Sequence, residues 1–318
     1  MRRSFLAGLG WLLLSVSGCV SPSSEAPRSD DVRASAPGVD VRTGELVEFR
    51  SGPLRLRGLL WKPAGPGAAP AVLLNHGSGE ADPDRTAGMP MAEAARRLAP
   101  SFVRRGYGFF YPFRRGQGAS ADAGPSLQAV LAREEQAHGP EARQRLQDRL
   151  LETEQLDDVM AALAQLESVP GIDPTRVAMA GHSFGGQLTL LAAARDPTLR
   201  AAVAFAAAAA SWSRSAEVRR SLGAAVRAAR CPILLVQWSN DFSTEPSTVL
   251  GKELAGNGSR PRVAVYPPLG SGPADGHDGV YLDVSRWRRT CWASSTRPSG
   301  VERLVHASGM PPGRYPDR

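Results

Sequence analysis

VAMAGHSFGGQLTLL, residues 177–191, is the stretch that decides the fold. A short apolar run, 177–180, leads into Gly181, His182, Ser183, Phe184, Gly185 and Gly186, and an apolar run with helical character, 187–194, follows. A strand that ends in G-x-S-x-G and opens at once into a helix is the setting in which that motif presents a nucleophile. Glycines at 181 and 185 let the chain reverse where side chains would collide. The serine is then held in a strained turn with its hydroxyl beyond the sheet edge. The next amide, that of Phe184, begins the helix and faces developing negative charge with an unpaired N–H. Without that frame, the same residues would be a plain glycine- and serine-rich turn.

Outward from this turn, strand and helix signals alternate. Residues 46–49 and 54–61 alternate around Ser51-Gly52-Pro53 and read as a hairpin. Residues 71–74 are a buried-type strand running into Asn75-His76-Gly77-Ser78-Gly79, where an oxyanion loop would sit with the Ser78 amide as a donor. The His76 side chain reads as structural. Residues 91–104 read as one amphipathic helix and 107–111 as a strand. Phe113-Arg114-Arg115-Gly116-Gln117-Gly118 follows, a glycine-rich turn without the Lys-Ser/Thr ending of a phosphate-binding loop. Residues 126–150 are polar and read as a helical insertion over or beside the mouth of a site. Within it, Arg133, Glu134, Glu135 and His138 look like a solvated face rather than a metal site. Residues 152–166 form a second amphipathic helix, and 170–176 a turn into the motif strand. Beyond the motif, 199–205 and 232–238 read as buried strands, 211–230 as partly helical, 245–254 as a helix and 262–266 as a short strand. A Gly/Pro loop then carries His277. This alternation predicts an α/β fold, a mostly parallel sheet with helices on both faces.

The 318 residues, 42% hydrophobic and 22% charged, suit one α/β domain with appendages. The net charge of +7 is spread along the chain without a basic block, so nothing in it points to nucleic acid. Three cysteines make no disulfide framework; a bridge between Cys231 and Cys291 would require an oxidising compartment, and spacing alone does not show one. No cofactor and no metal centre is expected.

The N-terminus reads as an address. Arg2 and Arg3 precede an apolar stretch, 5–16, too short to span a bilayer comfortably, and Val16-Ser17-Gly18 lead to Cys19. V-S-G-C resembles the lipobox of bacterial lipoproteins. That resemblance implies cleavage of a signal peptide, 1–18, and lipidation of Cys19, so that acyl chains tie the protein to a membrane. Ser21, in place of Asp, then implies the outer membrane of the cell envelope. An ordinary secretory signal with a chance cysteine is the alternative. Residues 19–43, rich in Ser, Pro, Ala and Asp, read as a flexible tether to a domain at 44–318.

A serine hydroxyl needs a base. Of five histidines, His182 adjoins the serine in sequence but diverges from it, His76 lies in the oxyanion loop, His138 in a polar helix and His306 in the tail. His277 follows the last strand and can approach the C-terminal edge of the sheet. Asp241, just past a strand end, is placed to fix its tautomer, with Glu245 as a weaker substitute; Asp275 and Asp278 read as loop polarity. The order Ser183, Asp241, His277 is that of α/β-hydrolases.

With H-G-S-G at His76, F-R-R-G-Q-G-A-S at Phe113, G-H-S-F-G-G at Gly181, N-D at Asn240 and G-H-D-G at Gly276, residues 58–277 resemble the α/β-hydrolase superfamily, nearest its dienelactone hydrolase-like branch. The resemblance implies Ser183 as nucleophile, His277 as base then acid, Asp241 as orienter, and the amides of Phe184 and Ser78 as oxyanion donors. Dienelactone hydrolase itself uses cysteine, so serine points to esterase or peptidase chemistry; the leading reading is an esterase acting on small-molecule carboxylic esters. A prolyl-oligopeptidase-like peptidase and an inactive fold serving as an envelope binding module are the alternatives. The family ends in an amphipathic helix, whereas residues 286–318 show no such periodicity. They read as a divergent tail or as the product of a frame slip near Arg288–Arg289.

Overall fold

The computed structural model describes residues 43–256 and 262–291. The leader, Cys19, nearly all of the tether, His306 and residues 292–318 of the tail lie outside the described residues. The hairpin β1 (Glu45–Ser51) and β2 (Leu54–Trp61) is followed by β3 (Ala69–Asn75), the small pair β4 (Arg85–Thr86) and β5 (Met89–Pro90), and α1 (Met91–Leu98). Then come α2 (Pro100–Val103), β6 (Gly108–Phe113), α3 (Leu127–His138), α4 (Pro140–Glu152), α5 (Glu154–Ser168), β7 (Ile172–His182) and α6 (Phe184–Arg195). The last part holds β8 (Ala202–Phe205), α7 (Ala216–Ala228), β9 (Ile233–Trp238), α8 (Glu245–Gly256), β10 (Arg262–Tyr266), α9 (Pro273–His277), α10 (Gly279–Leu282) and α11 (Val284–Cys291).

Eight strands form one sheet in the order β1-β2-β6-β3-β7-β8-β9-β10. β1 and β2 pair antiparallel, β2 joins β6 antiparallel, and every other neighbour is parallel. The two-residue period of a strand sends alternate side chains to opposite faces. Val177 and Met179 therefore join one buried cluster with Leu73, Leu188 and Leu163, while Ala178 and Ala180 join the other with Leu74, Phe109 and Trp287. A sheet covered on both faces needs apolar residues at consecutive positions, which is why 71–74 in β3, 177–180 in β7 and 233–236 in β9 read as unbroken apolar runs.

Three local expectations change. The helix read as 91–104 breaks at Ala99, because Pro100 cannot donate back into α1 and starts α2 instead. The turn read at 170–176 belongs largely to β7, which starts at Ile172 beside Ala69. Periodicity also continues past Arg286: α11 runs through Arg288 and Arg289 and buries Trp287 and Cys291, one turn apart. The Trp287 ring packs against Phe205 and Phe102, and its Nε1 donates to the Val280 carbonyl at 2.8 Å. A buried tryptophan is worth about 3–5 kcal/mol relative to alanine, so this helix contributes to closing that face. Cys231 and Cys291 are both free thiols.

Candidate active site

β7 delivers Ser183 to the C-terminal edge of the sheet. Its backbone, at φ 54° and ψ -117°, turns the chain directly into α6. A Cβ on Gly181 would collide with the Gly185 carbonyl, and one on Gly185 with the carbonyls of Asn75 and His76. Both glycines are thus fixed by close backbone approach, and the second lets β3 and its following loop lie against the start of α6. The Ser183 amide donates to the Phe205 carbonyl at 2.8 Å, which ties the turn to β8.

His277 ends the short helix α9 rather than lying in an irregular loop. Its Nε2 is 2.8 Å from Ser183 Oγ and its Nδ1 is 2.8 Å from Asp241 Oδ1. The Asp241 carboxylate is fully buried and accepts two further bonds, from the Phe242 amide at 2.7 Å and Gln237 Nε2 at 2.9 Å. Gln237 is itself held by Ser247, whose hydroxyl donates to its Oε1 at 2.6 Å. Asn240, the residue before Asp241, clamps the segment that leads to His277: its Nδ2 donates to the carbonyls of Leu269 and Gly272, and its Oδ1 accepts from the Leu269 amide. Gly276 is needed beside it, since a Cβ there would press on Asn240 and the Asp241 amide. The structure brings Ser183, Asp241 and His277 together. Glu245 opens α8, and the Asp275 carboxylate accepts from the amides of Ser271 and Gly272.

His182 does more than diverge. It is buried, its Nε2–H donates to the His277 carbonyl at 2.9 Å, and its ring stands edge-on to Tyr281. Burial pushes its pKa down to about 3, so a neutral imidazole supports the segment that carries His277. Asp278, 3.6 Å from the same nitrogen, is pushed up to about 6 by burial. His76 is structural: it is fully buried, packs on Tyr111, donates from Nδ1 to the Gly77 carbonyl and accepts at Nε2 from the Arg114 amide.

Arg114 is the residue that sequence reasoning passed over. It is 1% exposed at the end of β6, and its guanidinium donates to the carbonyls of His76 at 2.9 Å and Gly77 at 2.5 Å and to Gln155 Oε1 at 2.9 Å. Burial lowers its pKa to about 10, so it remains charged at neutral pH. The Gly77 carbonyl and the Ser78 N–H belong to one peptide unit. A cation bonded to that oxygen therefore fixes and polarises the N–H at the other end. Gln117 Nε2 holds the next carbonyl, that of Ser78, at 2.9 Å. Asp158, one turn from Gln155 on α5, takes the neighbouring Arg115 in a two-pronged pair at 2.7 and 2.9 Å. The only sequence signal was two consecutive arginines after a strand facing two polar residues at helical spacing. Ser78 and Phe184 line one recess with Ser183, and the Phe184 amide, first in α6, has no acceptor within the helix. An Arg114→Met variant leaves the His76 carbonyl and Gln155 Oε1 unpaired, at about 1–3 kcal/mol each, and leaves the Gly77 carbonyl with its bond from His76 Nδ1 alone. It is expected to lose several kcal/mol of stability and, where still folded, roughly a hundredfold in kcat with little change in KM. Urea titration and steady-state kinetics check this; a folded variant with unchanged kcat removes Arg114 from the positioning of the loop.

Among the described residues, no group of three or more His, Cys, Asp or Glu side chains could hold a metal ion.

A model of the dienelactone hydrolase family matches residues 56–275. Among solved structures, a Klebsiella pneumoniae protein assigned as a dienelactone hydrolase is similar at 18% identity and a TM-score of 0.56, over 79% of this chain and 98% of that one. A dienelactone hydrolase from Anabaena variabilis is similar at 18% identity and a TM-score of 0.54, over 79% and 97%. The acylaminoacyl peptidase of Pyrococcus horikoshii is similar at 15% identity and a TM-score of 0.54, over 82% of this chain but 44% of the peptidase. At these identities the likenesses show the fold alone. Comparison with curated proteins finds no match. The family model spans more than half of the chain, and its fold is the mostly parallel, helix-covered sheet described above, so the protein belongs to the dienelactone hydrolase family of the α/β-hydrolase superfamily and is a hydrolase.

Proposed function

We propose that the protein is a serine hydrolase that cleaves small carboxylic esters through an acyl-enzyme. The observation that carries the reading is the chain of contacts from Ser183 Oγ through His277 to the buried Asp241, each 2.8 Å long. Ser183 Oγ attacks the carbonyl carbon while its proton passes to His277 Nε2. The carbonyl oxygen, now negative, is held by the amides of Ser78 and Phe184. The carbon–alkoxy bond breaks, and His277 returns the proton to the leaving alcohol. Water then attacks the acyl-enzyme with His277 as base, and the acid leaves as Ser183 regains its proton. Asp241 keeps the Nδ1 proton in place and stabilises the imidazolium.

A fluorophosphonate probe is expected to label Ser183, and Ser183→Ala to abolish the label. Hydrolysis of p-nitrophenyl acetate without hydrolysis of peptide anilides supports the esterase; the reverse pattern transfers the site to a peptidase, and absence of labelling leaves a binding module. The reading includes an envelope location through a lipidated Cys19, supported by Arg2, Arg3, the apolar stretch 5–16 and V-S-G-C. Acyl-chain incorporation that persists in Cys19→Ala would remove that part.

A further inference from the structure

We infer that the helices covering one face of the sheet present a basic surface that binds anionic lipid headgroups, at the end of the domain away from Ser183. The sequence holds no basic block; the fold assembles one. Helices α1, α2, α10 and α11 bury their apolar sides in one core cluster, and α3 to α8 bury theirs in the other. Charge divides along the same line. The first group carries five arginines and one acid, Glu93, and two more arginines, Arg104 and Arg105, directly follow α2. The second group carries twelve acids against nine basic residues, so the net charge of +7 is not spread evenly in space. Topology then brings the arginines to one end. A helix that joins parallel strands runs back from the C-terminal edge of the sheet to the N-terminal edge. α1 and α2 lie between β3 and β6, which are parallel, so Arg96, Arg97, Arg104 and Arg105 approach the N-terminal edge. Phe102 stacks on Phe109 near the start of β6, and its ring also meets Trp287, one residue before Arg288. Arg288 and Arg289, in the last turn of α11, thus join the group. Ser183 and His277 stand at the opposite edge, roughly 20 Å away along strands such as the six-residue β6.

Little on the protein answers this charge. Arg96, Arg104, Arg288 and Arg289 make no ion pair or side-chain hydrogen bond among the described residues. Arg97 gives one N–H to the Tyr281 carbonyl at 3.4 Å and Arg105 one to the Ser101 carbonyl at 3.2 Å, both neutral acceptors. Arg286 pairs with Asp283. The sequence beyond α11, 292–318, holds four arginines and two acids, so it brings no surplus of counter-charge. Arginine in a last helical turn also complements the helix dipole, which explains single positions but not the lack of acids between neighbouring helices. Guanidiniums spread over α1, the end of α2 and α11 match an array of phosphates better than one bound anion, and each can give a phosphate paired N–H groups. Every basic residue held near an anionic surface adds to an attraction that salt screens. The surface stands without the esterase reading and without a lipidated Cys19; an acyl anchor would only raise the local concentration of headgroups. Bound in this way, the domain keeps its catalytic edge toward water.

The full chain carrying Cys19→Ala, so that no acyl chain contributes, is titrated with sedimentable vesicles of phosphatidylcholine and with the same vesicles containing phosphatidylglycerol. At about 0.1 M salt the partition coefficient is expected to be roughly 10- to 100-fold larger for the anionic vesicles, falling toward equality near about 0.5 M. Arg104→Gln/Arg288→Gln/Arg289→Gln should lower that preference roughly fivefold or more. Arg133→Gln/Arg145→Gln/Arg220→Gln removes the same charge from α3, α4 and α7 and should leave the preference within about twofold. All six are solvent-facing positions, where such changes are nearly neutral for stability, and circular dichroism checks the fold. Hydrogen exchange on anionic vesicles should slow in 100–106 and 284–291 and stay level in 77–84, beside the catalytic edge. No preference, a preference indifferent to salt, equal losses in the two triple variants, or slowing at 77–84 overturns the inference. Duplex DNA that holds the protein at a salt concentration where vesicles release it, and loses it in the first triple variant, overturns the choice of lipid as partner.

Discussion

In Ser183→Gly, ester hydrolysis is expected to fall roughly a millionfold, as when a nucleophile of this kind is removed elsewhere, yet the protein should be more stable than Ser183→Ala. The two variants remove the same hydroxyl and differ in what they do to the backbone. At φ 54° and ψ -117°, residue 183 occupies a region that costs a side-chain-bearing residue of order 1–3 kcal/mol. Alanine keeps that cost and glycine does not, although glycine gives back about 0.5–1 kcal/mol through the freer unfolded chain. No capping bond is lost in either variant, since the serine side chain does not cap α6. The net expectation is that the glycine variant is the more stable by about 1 kcal/mol, read from urea midpoints at a common slope. Equal midpoints would mean that the turn stores no strain, and residual activity within a hundredfold of wild type would remove Ser183 as nucleophile.

The second large effect is expected from Asp241→Asn, about 10⁴-fold in kcat with KM nearly unchanged. The size follows from the direction of the surrounding donors. The Phe242 amide and Gln237 Nε2 both point hydrogens at the carboxylate, and Ser247 donating to Gln237 Oε1 prevents that amide from turning round. An asparagine NH2 therefore has no acceptor on the Gln237 side. Turned toward His277, it donates to Nδ1, which moves the imidazole proton to Nε2, where the serine hydroxyl needs a lone pair. The folded structure should survive, because one carbonyl oxygen still serves the donors on one side. Steady-state kinetics, with near-UV circular dichroism as the fold check, measures this. A loss below tenfold would mean that Asp241 does not set the tautomer.

The sequence carried the parts of this protein that depend on short-range rules. G-H-S-F-G-G between an apolar run and a helix specified the turn at Ser183, because glycine is the only residue that fits two backbones pressed together. Unbroken apolar runs at 71–74, 177–180 and 233–236, within β3, β7 and β9, specified a sheet buried on both faces. Chain order and strand ends were enough to bring Asp241 and His277 into view as partners. Elsewhere, tertiary context overrides local preference: residues 206–210 are all alanine, the best helix former, yet Ala206 and Ala208 stand at positive φ where the chain bends past the recess. Nor could a string of residues show that Arg114 lies beneath the Gly77–Ser78 peptide or that His182 donates to the His277 carbonyl. Those facts join strands and helices far apart along the chain. A charged or polar side chain gives no sign in its own neighbourhood of whether water or a distant carbonyl will satisfy it; packing the elements around the sheet decides that.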